Sequence, residues 1–161
     1  MRNLTLELTS IEKTESIARK MAEHLFQGTI MLFWGEMGSG KTTFIKSLCS
    51  GLGIIPEKVT SPTYTLVNIY KCKWFIFHVD LFRLSAPEQL YDMDRADLIA
   101  EEGVTMVEWP QMLQNYLTDE PVLNLYFSTV SDQHRLLELE TKSCDFDILF
   151  ETMEQQIFSG S

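Results

Sequence analysis

The first third of the chain combines hydrophobic patterns that have the periods of strands and of helices. Residues 4–8 alternate apolar and polar side chains, as in a strand with one buried face. A helical pattern follows Thr9, which stands three residues before Glu12, the spacing of a capping box. Residues 29–34 form a continuous apolar run, which is typical of a buried parallel strand. After a glycine-rich stretch, a second helix is predicted over residues 41–50.

Five further strands and three further helices are predicted over the remainder of the chain. The strands are expected at residues 64–70, 74–79, 104–107, 122–129 and 136–140. The helices are expected to start at Pro87, to cover residues 95–101, and to close the chain over residues 145–158, with residues 158–161 as a frayed end. Because strands and helices alternate early and no repeat or linker interrupts them, we expect one α/β domain over residues 1–161 with a largely parallel sheet.

Composition indicates a folded domain without a membrane or secretion signal. The chain has 161 residues, which is enough for one domain with a sizeable core. No apolar run approaches the ~20 residues of a membrane-spanning helix. The first residues lack the basic start and apolar stretch of a signal peptide. We therefore expect a cytoplasmic protein with no membrane partner.

Charge limits the partners that the chain can bind directly. The formal net charge is −10, and no basic run is present. Binding to RNA or DNA relies mainly on Lys and Arg side chains that neutralise phosphates. DNA is therefore not expected as a partner, and a role in nucleic-acid metabolism is expected to act through another protein.

The glycine-rich stretch after the apolar strand matches a phosphate-binding motif. Residues 35–42, Gly-Glu-Met-Gly-Ser-Gly-Lys-Thr, fit the pattern G-x-x-x-x-G-K-[ST]. Glycines let such a loop turn several backbone N–H groups onto phosphate oxygens, and the next helix points its positive dipole end at them. Lys41 is expected to reach the β- and γ-phosphates, and the Thr42 hydroxyl to bind Mg²⁺. The sequence therefore predicts a nucleoside triphosphate site with Mg²⁺.

Two carboxylates follow apolar strands and are candidates for the chemistry of this site. Asp80 follows the strand at residues 74–79, and Glu108 follows the strand at residues 104–107. The carboxyl ends of strands are where open α/β sheets bind ligands. The chain contains no N-K-x-D motif of the kind that recognises guanine, which favours ATP over GTP.

Four segments stand in an order that is more particular than the phosphate loop alone. They are GEMGSGKTT at residues 35–43, SPTYTLVNIY at 61–70, HVDLFRL at 78–84 and VEWP at 107–110. In this order they resemble the bacterial TsaE family, also called YjeE, over roughly residues 5–140. The resemblance implies a three-layer P-loop NTPase fold, with a mostly parallel sheet and antiparallel strands at its edges.

The resemblance also implies an activity and partners. Members of this family are small, weak ATPases that support the threonylcarbamoyladenosine (t6A) modification at position 37 of tRNAs reading ANN codons. They do not transfer the threonylcarbamoyl group themselves. They act on a complex of TsaD, the transferase, and TsaB, so tRNA would be contacted only indirectly.

The matched positions carry expected roles. The resemblance implies that the nucleotide is held by Met37, Gly38, Ser39, Gly40, Lys41, Thr42 and Thr43, with Ser10 and Ile11 near the adenine. Thr42 and Glu108 would bind Mg²⁺. Asp80 would orient or activate the attacking water, and Lys41 would stabilise charge on the transferring phosphoryl group.

The resemblance also gives a role to residues 61–63, and three single residues each have two interpretations. Residues 61–63 resemble a segment that senses the γ-phosphate. Trp109 is either a partner- or nucleotide-responsive residue or a core aromatic side chain. Arg83 is either a catalytic arginine or part of a salt bridge on a strand flank. His78 is either a structural histidine of its strand or a catalytic group.

The chain departs from the family pattern at three positions. Phe82 replaces a frequent Tyr, and Ile69 replaces a frequent Glu. Asp94 stands near a frequent Gly, which puts the loop geometry at residues 93–95 in question.

Two other functions remain open at this point. A small-molecule kinase would need an acceptor pocket and a basic lid, and the chain has only 13 Lys and Arg residues with no basic lid segment. A non-catalytic module would use ATP only to set a docking shape.

Overall fold

The computed structural model describes residues 1–159 and is built around one seven-stranded sheet. The strands are β1 (Arg2–Leu8), β2 (Ile30–Trp34), β3 (Val67–Lys71), β4 (Phe75–Asp80), β5 (Gly103–Glu108), β6 (Val122–Thr129) and β7 (Arg135–Thr141). The helices are α1 (Ile11–Ala22), α2 (Lys41–Gly51), α3 (Glu88–Tyr91), α4 (Arg95–Leu98) and α5 (Asp147–Ser159). Short 3-10 turns lie at Pro56–Lys58, Pro110–Leu113 and Cys144–Phe146.

Four neighbouring strands in the middle of the sheet run parallel. The strand order is β1-β7-β6-β2-β5-β4-β3. Strands β6, β2, β5 and β4 are parallel, whereas β3 pairs antiparallel with β4, and β7 pairs antiparallel with both β6 and β1. The prediction of a mostly parallel centre with antiparallel strands towards the edges is confirmed. The carboxyl ends of β2, β4 and β5 therefore meet at one edge of the sheet.

The two faces of the sheet are covered unequally. Helices α1, α2 and α5 cover one face, where Phe33, Phe44 and Phe150 are fully buried. The other face packs against the short helices α3 and α4 and the turn at Pro110–Leu113. The expected third layer is therefore present but thin.

Two element boundaries differ from the sequence prediction because of local backbone geometry. Helix α1 is capped by Ser10 rather than Thr9, and the Ser10 hydroxyl accepts a hydrogen bond from a first-turn N–H at 3.0 Å. Strand β3 begins at Val67, three residues later than predicted. The preceding Leu66 has φ 71°, which interrupts the extended conformation.

Helices α4 and α5 also end at residues other than those that the hydrophobic pattern predicts. Helix α4 stops at Leu98 instead of residue 101, since the Ala100 N–H donates to the Thr105 hydroxyl at 2.9 Å rather than to a helical carbonyl. Helix α5 runs to Ser159. Of the predicted frayed end, residues 158 and 159 belong to α5, and residues 160–161 lie outside the described part of the chain.

Within residues 1–159, the fold uses neither a disulfide nor a membrane-crossing helix. All three cysteines are free thiols, and burial raises the pKa of Cys49 to about 12. No helix in these residues is both long enough and apolar enough to span a bilayer.

Candidate functional site

The phosphate loop, residues 35–42, connects β2 to α2 at the carboxyl edge of the parallel strands. Gly35 has φ 147°, and a Cβ at this position would lie 2.7 Å from Ser39 Oγ and 2.8 Å from the Phe127 carbonyl oxygen. Gly40 is the N-cap of α2 with φ 105°, and no side chain caps this helix. The N–H groups of the first turn of α2 are therefore available to an external acceptor such as a phosphate.

Ser39 carries a buried hydroxyl that no neighbouring group satisfies. The residue is 2% exposed, and its Oγ has no hydrogen-bond partner among residues 1–159. Buried polar atoms in folded proteins are nearly always paired. An unpaired hydroxyl beside an uncapped helix start fits a site that receives a polar ligand.

The Lys41 ammonium makes two contacts within the protein. Its Nζ donates to the Gly35 carbonyl oxygen and lies 3.6 Å from the centre of the Trp109 ring. Burial lowers the Lys41 pKa below its usual value, while the nearby carboxylates, led by Glu108 and Asp80, act in the opposite direction. Trp109 holds this position with a left-handed backbone at φ 55°, which is unusual for a bulky residue.

Asp80 and Glu108 lie directly beside each other in the pairing of β4 with β5. Both are almost fully buried, at 4% and 3% exposure. Glu108 Oε1 accepts from the Thr42 hydroxyl at 2.9 Å, and Glu108 Oε2 lies 2.8 Å from His78 Nε2. The parallel strands thus bring two carboxylates, a hydroxyl and an imidazole to the phosphate loop.

Asp80 is also held by the loop that precedes β3 and by the chain that follows β4. Thr63 Oγ1 donates to Asp80 Oδ2 at 3.1 Å, and the Phe82 N–H donates to Asp80 Oδ1 at 2.9 Å. Ser61 Oγ lies 2.8 Å from Thr63 Oγ1. The segment expected to sense the γ-phosphate is therefore hydrogen-bonded to Asp80.

Two cavities flank the phosphate loop and share Gly38, Gly40 and Thr43. The inner cavity has a volume of about 310 Å³, and its walls include Met37, Lys41, Thr42, Asp80, Glu108 and Trp109. The outer cavity has a volume of about 460 Å³, and its walls include Ser10, Ile11, Ser39, Phe127, Gln133 and Arg135. Every residue expected to hold the nucleotide, to bind Mg²⁺ or to act on the attacking water lines one of these two cavities.

Several wall residues of the outer cavity were not found from the sequence, among them Phe127, Gln133 and Arg135. Phe127 is in β6, while Gln133 and Arg135 belong to the turn and strand that follow it. No local motif marks these residues, because Phe127 reaches the cavity through the pairing of β6 with β2, and Gln133 and Arg135 reach it through the pairing of β7 with β6 and β1.

The candidate Arg83 and two of the positions that depart from the family pattern make the following contacts. Arg83 donates to the Tyr64 carbonyl oxygen at 2.9 Å, and its guanidinium lies 5.7 Å from the centre of the Tyr64 ring. Phe82 packs against Trp109 with ring centres 5.1 Å apart, so the aromatic contact exists without the tyrosine hydroxyl. Asp94 has φ −66°, a conformation that does not require glycine.

The residues present suit a metal ion that arrives with a nucleotide. Within residues 1–159, no three His, Cys, Asp or Glu side chains form a ready metal cage. Mg²⁺ usually keeps several waters and takes one or two carboxylates together with substrate phosphates. The Thr42 hydroxyl and the Glu108 carboxylate, in contact with each other at the cavity wall, meet that requirement.

Comparison with known proteins adds a family to this geometry. A family model described as "Threonylcarbamoyl adenosine biosynthesis protein TsaE" matches residues 8–137. Two relatives named tRNA threonylcarbamoyladenosine biosynthesis protein TsaE come from Synechocystis sp. and Borreliella burgdorferi. The first is 38% identical over 114 residues, covering 66% of this chain and 69% of the relative. The second is 33% identical over 138 residues, covering 84% and 98%.

One solved structure supports the same assignment at the level of the fold. The crystal structure of YdiB from Bacillus subtilis superposes with a TM-score of 0.73 over 96% of each chain, at 23% identity. This likeness shows that the two chains share a fold. The family model that matches residues 8–137 leads to one conclusion: the chain belongs to the TsaE family.

Proposed function

We propose that this chain binds ATP with Mg²⁺, hydrolyses it slowly, and thereby supports the threonylcarbamoyladenosine modification of tRNA at A37. The observation that carries the proposal is the convergence of four side chains on the inner cavity, namely Lys41, Thr42, Asp80 and Glu108. A lysine, a hydroxyl and two carboxylates beside a glycine loop are what phosphoryl transfer in P-loop proteins requires. The tRNA modification is taken from the family and its relatives.

Phosphate binding follows from the loop and the start of α2. The uncapped N–H groups after Gly40 and the unpaired Ser39 hydroxyl would donate to phosphate oxygens. Lys41 would exchange its contacts with the Gly35 carbonyl and the Trp109 ring for the β- and γ-phosphates. The charge on Lys41 would then stabilise the negative charge of the transition state.

Thr42 and Glu108 would hold the metal ion. A bound Mg²⁺ would neutralise charge on the β- and γ-phosphates. The carboxylate of Glu108 already accepts hydrogen bonds at both oxygens, so its orientation is defined before the nucleotide binds. The free lone pairs of the carboxylate and of the Thr42 hydroxyl remain for the ion and its waters.

Asp80 would position the water that attacks the γ-phosphorus. Both of its oxygens accept hydrogen bonds from the protein, from Thr63 and from the Phe82 N–H, which fixes the carboxylate. The attacking water forms a bond to phosphorus, the bond from phosphorus to the β-γ bridging oxygen breaks, and ADP and phosphate result. Because Thr63 contacts Asp80 directly, loss of the γ-phosphate would change the contacts of residues 61–65.

The outer cavity would take the adenine and ribose. It continues from the phosphate loop, and its lining includes the exposed Ile11 and the buried Phe127, which offer apolar surface for a base. Ser10 and Arg135 add polar contacts along the same wall.

A partner surface would lie at the mouth of the inner cavity. Met37 and Phe82 line this cavity and are 74% and 52% exposed, so apolar side chains face solvent beside buried charges. Within residues 1–159, no arginine lines the inner cavity, and Arg83 is held by Tyr64. We therefore expect slow hydrolysis alone and faster hydrolysis when TsaD and TsaB complete the site.

The charge of the chain supports an indirect contact with tRNA, through that complex. A net charge of −10 opposes direct binding of a polyanion. We therefore propose that the protein, acting in the cytoplasm as expected from its sequence, binds TsaD–TsaB rather than tRNA or DNA.

The test is ATP hydrolysis by the purified chain with and without the TsaB–TsaD complex, for wild type, Asp80→Ala and Asp92→Ala. Asp92 is exposed and lies outside both cavities, so it serves as the matched control. Stimulation by the complex in the wild type and Asp92→Ala, with loss in Asp80→Ala, is expected.

Other outcomes would point to the other two functions. ATP binding without hydrolysis, with intact tRNA modification by Asp80→Ala, would favour an ATP-dependent docking module. Phosphate transfer to a small molecule in a screen of acceptors would favour a kinase.

A further inference from the structure

His78 is buried within the sheet, and among residues 1–159 its side chain hydrogen-bonds to one group of the candidate site. The residue is in β4, two positions before Asp80, so both side chains point to the same face of the sheet. It is fully buried, and its Nε2 lies 2.8 Å from Glu108 Oε2. Its ring packs against Tyr70, with ring centres 6.3 Å apart.

The hydrogen-bond pattern defines which nitrogen of His78 carries the hydrogen. A carboxylate oxygen accepts, so Nε2 is the donor of this contact. Nδ1 is buried and has no partner among residues 1–159. A hydrogen on Nδ1 would bury an N–H without an acceptor, which is costly. The geometry therefore gives the tautomer with its hydrogen on Nε2.

Two side chains thus hold Glu108: Thr42, which lines the inner cavity, and His78, which does not. Thr42 belongs to the phosphate loop and contacts Oε1 at 2.9 Å, and its hydroxyl lies at the wall of the inner cavity. His78 does not line that cavity and contacts Oε2 from within the sheet. When Thr42 turns towards an incoming ligand, His78 is the contact that remains to fix the carboxylate.

We infer that His78 is a positioning residue that orients the Glu108 carboxylate for a divalent cation bound with the nucleotide. This inference rests on the proposed function, because it assigns His78 to the same metal site. Groups that hold a metal ligand by a hydrogen bond reduce the conformational cost of binding the ion. His78 is not a catalytic residue, since it contacts neither cavity.

The test compares His78→Gln, which can keep an N–H donor at the reach of Nε2, with His78→Leu, which cannot. The probe is Mn²⁺, whose free concentration is followed by electron paramagnetic resonance in the presence of a non-hydrolysable ATP analogue. We expect His78→Leu to weaken Mn²⁺ binding about tenfold, and His78→Gln to stay within about threefold of wild type. Affinity for the analogue in EDTA should be the same in all three proteins.

A matched control separates positioning from loss of stability. Thr105→Val removes a buried hydroxyl from β5 that accepts from the Ala100 N–H and lies outside both cavities. Thr105→Val should lower the thermal midpoint without changing Mn²⁺ affinity.

Three results would overturn the inference. The first is wild-type Mn²⁺ affinity in His78→Leu. The second is an equal loss of Mn²⁺ affinity in His78→Gln and His78→Leu that follows the drop in their thermal midpoints, with the same relation in Thr105→Val. The third is a wild-type protein whose analogue binding does not depend on Mn²⁺, and only this result would also refute the proposed metal site.

Discussion

The inner and outer cavities meet at the phosphate loop, but their walls come from different kinds of structure. The inner cavity is lined by charged residues at the ends of parallel strands and in the loop, and Lys41, Asp80 and Glu108 are each at most 4% exposed. The outer cavity is lined by a helix start and a hairpin, and Ile11 is 67% exposed. Buried charges held by several partners are rigid, whereas exposed apolar contacts are individually weak. We expect the inner cavity to control chemistry and the outer cavity to control affinity for the base.

The largest effect is expected at Asp80. Asp80→Asn keeps an oxygen for the Phe82 N–H but weakens the acceptor for water, so the rate of hydrolysis should fall by about 10²- to 10³-fold. Affinity for ATP should change little. Single-turnover hydrolysis with the TsaB–TsaD complex, together with calorimetric ATP binding, measures both quantities. Equal loss of binding and of rate would contradict the division of labour between the cavities, and Asp92→Asn should change neither.

Removal of the Lys41 charge should weaken binding of every ligand that carries a triphosphate. Lys41→Met should reduce affinity for ATP and for inorganic tripolyphosphate alike, by about 10- to 100-fold, as is typical for hydrogen bonds to charged groups. Lys46→Met, an exposed position on the same helix, is the control and should bind both normally. If Lys41→Met lost ATP binding but bound tripolyphosphate normally, Lys41 would contact the base or ribose and not the phosphates, contrary to this prediction.

A substitution in the outer cavity should weaken binding of ATP but not of tripolyphosphate. Ile11→Ser removes apolar surface beside the proposed base and should weaken ATP by about 3- to 10-fold. Tripolyphosphate, which has no base, should bind as in the wild type. Ile148→Ser is closely matched, because Ile148 is 68% exposed but lies on α5 away from both cavities. Equal weakening of both ligands by Ile11→Ser would contradict the placement of the base in the outer cavity.

The smallest expected effect is a change with pH in the stability of the protein without a nucleotide. Burial lowers the Lys41 pKa in the folded state, so the unfolded chain holds this proton to higher pH than the folded chain does. Stability relative to Lys41→Met should therefore rise as pH increases through the lowered pKa towards the ordinary value of 10.5. Urea unfolding of both proteins between neutral and alkaline pH measures the difference. A flat difference would contradict the burial of this charge.

Local patterns were enough to predict the part of the fold that carries the phosphate loop. The apolar run before the glycines and the helix after them are continuous in sequence, so β2 and α2 lie close to their predicted ends. The positions of Asp80 and Glu108 followed from a topological rule, since both lie at carboxyl ends of parallel strands. Their contact is a direct consequence of β4 pairing with β5.

Features that depend on distant contacts were not predictable in the same way. The late start of β3 depends on the left-handed backbone of Leu66, whose carbonyl accepts from the Asp80 N–H. The contact between Lys41 and Trp109 depends on the left-handed backbone at the end of β5. Gln133 enters the outer cavity only because β7 lies between β6 and β1. None of these conformations has a signature within a short window of sequence.

The pairing of β1 with β7 has a consequence for the order in which the chain folds. Arg2 pairs with Thr141, so β1 has as its neighbour β7, the strand that is farthest from it along the described chain. Contacts between distant parts of a chain form slowly, because a large loop must close first. The outer cavity needs both Ile11 and Arg135, and therefore exists only after these distant segments have come together. A nucleotide that spans both cavities could thus stabilise the chain only after β1 and β7 have paired.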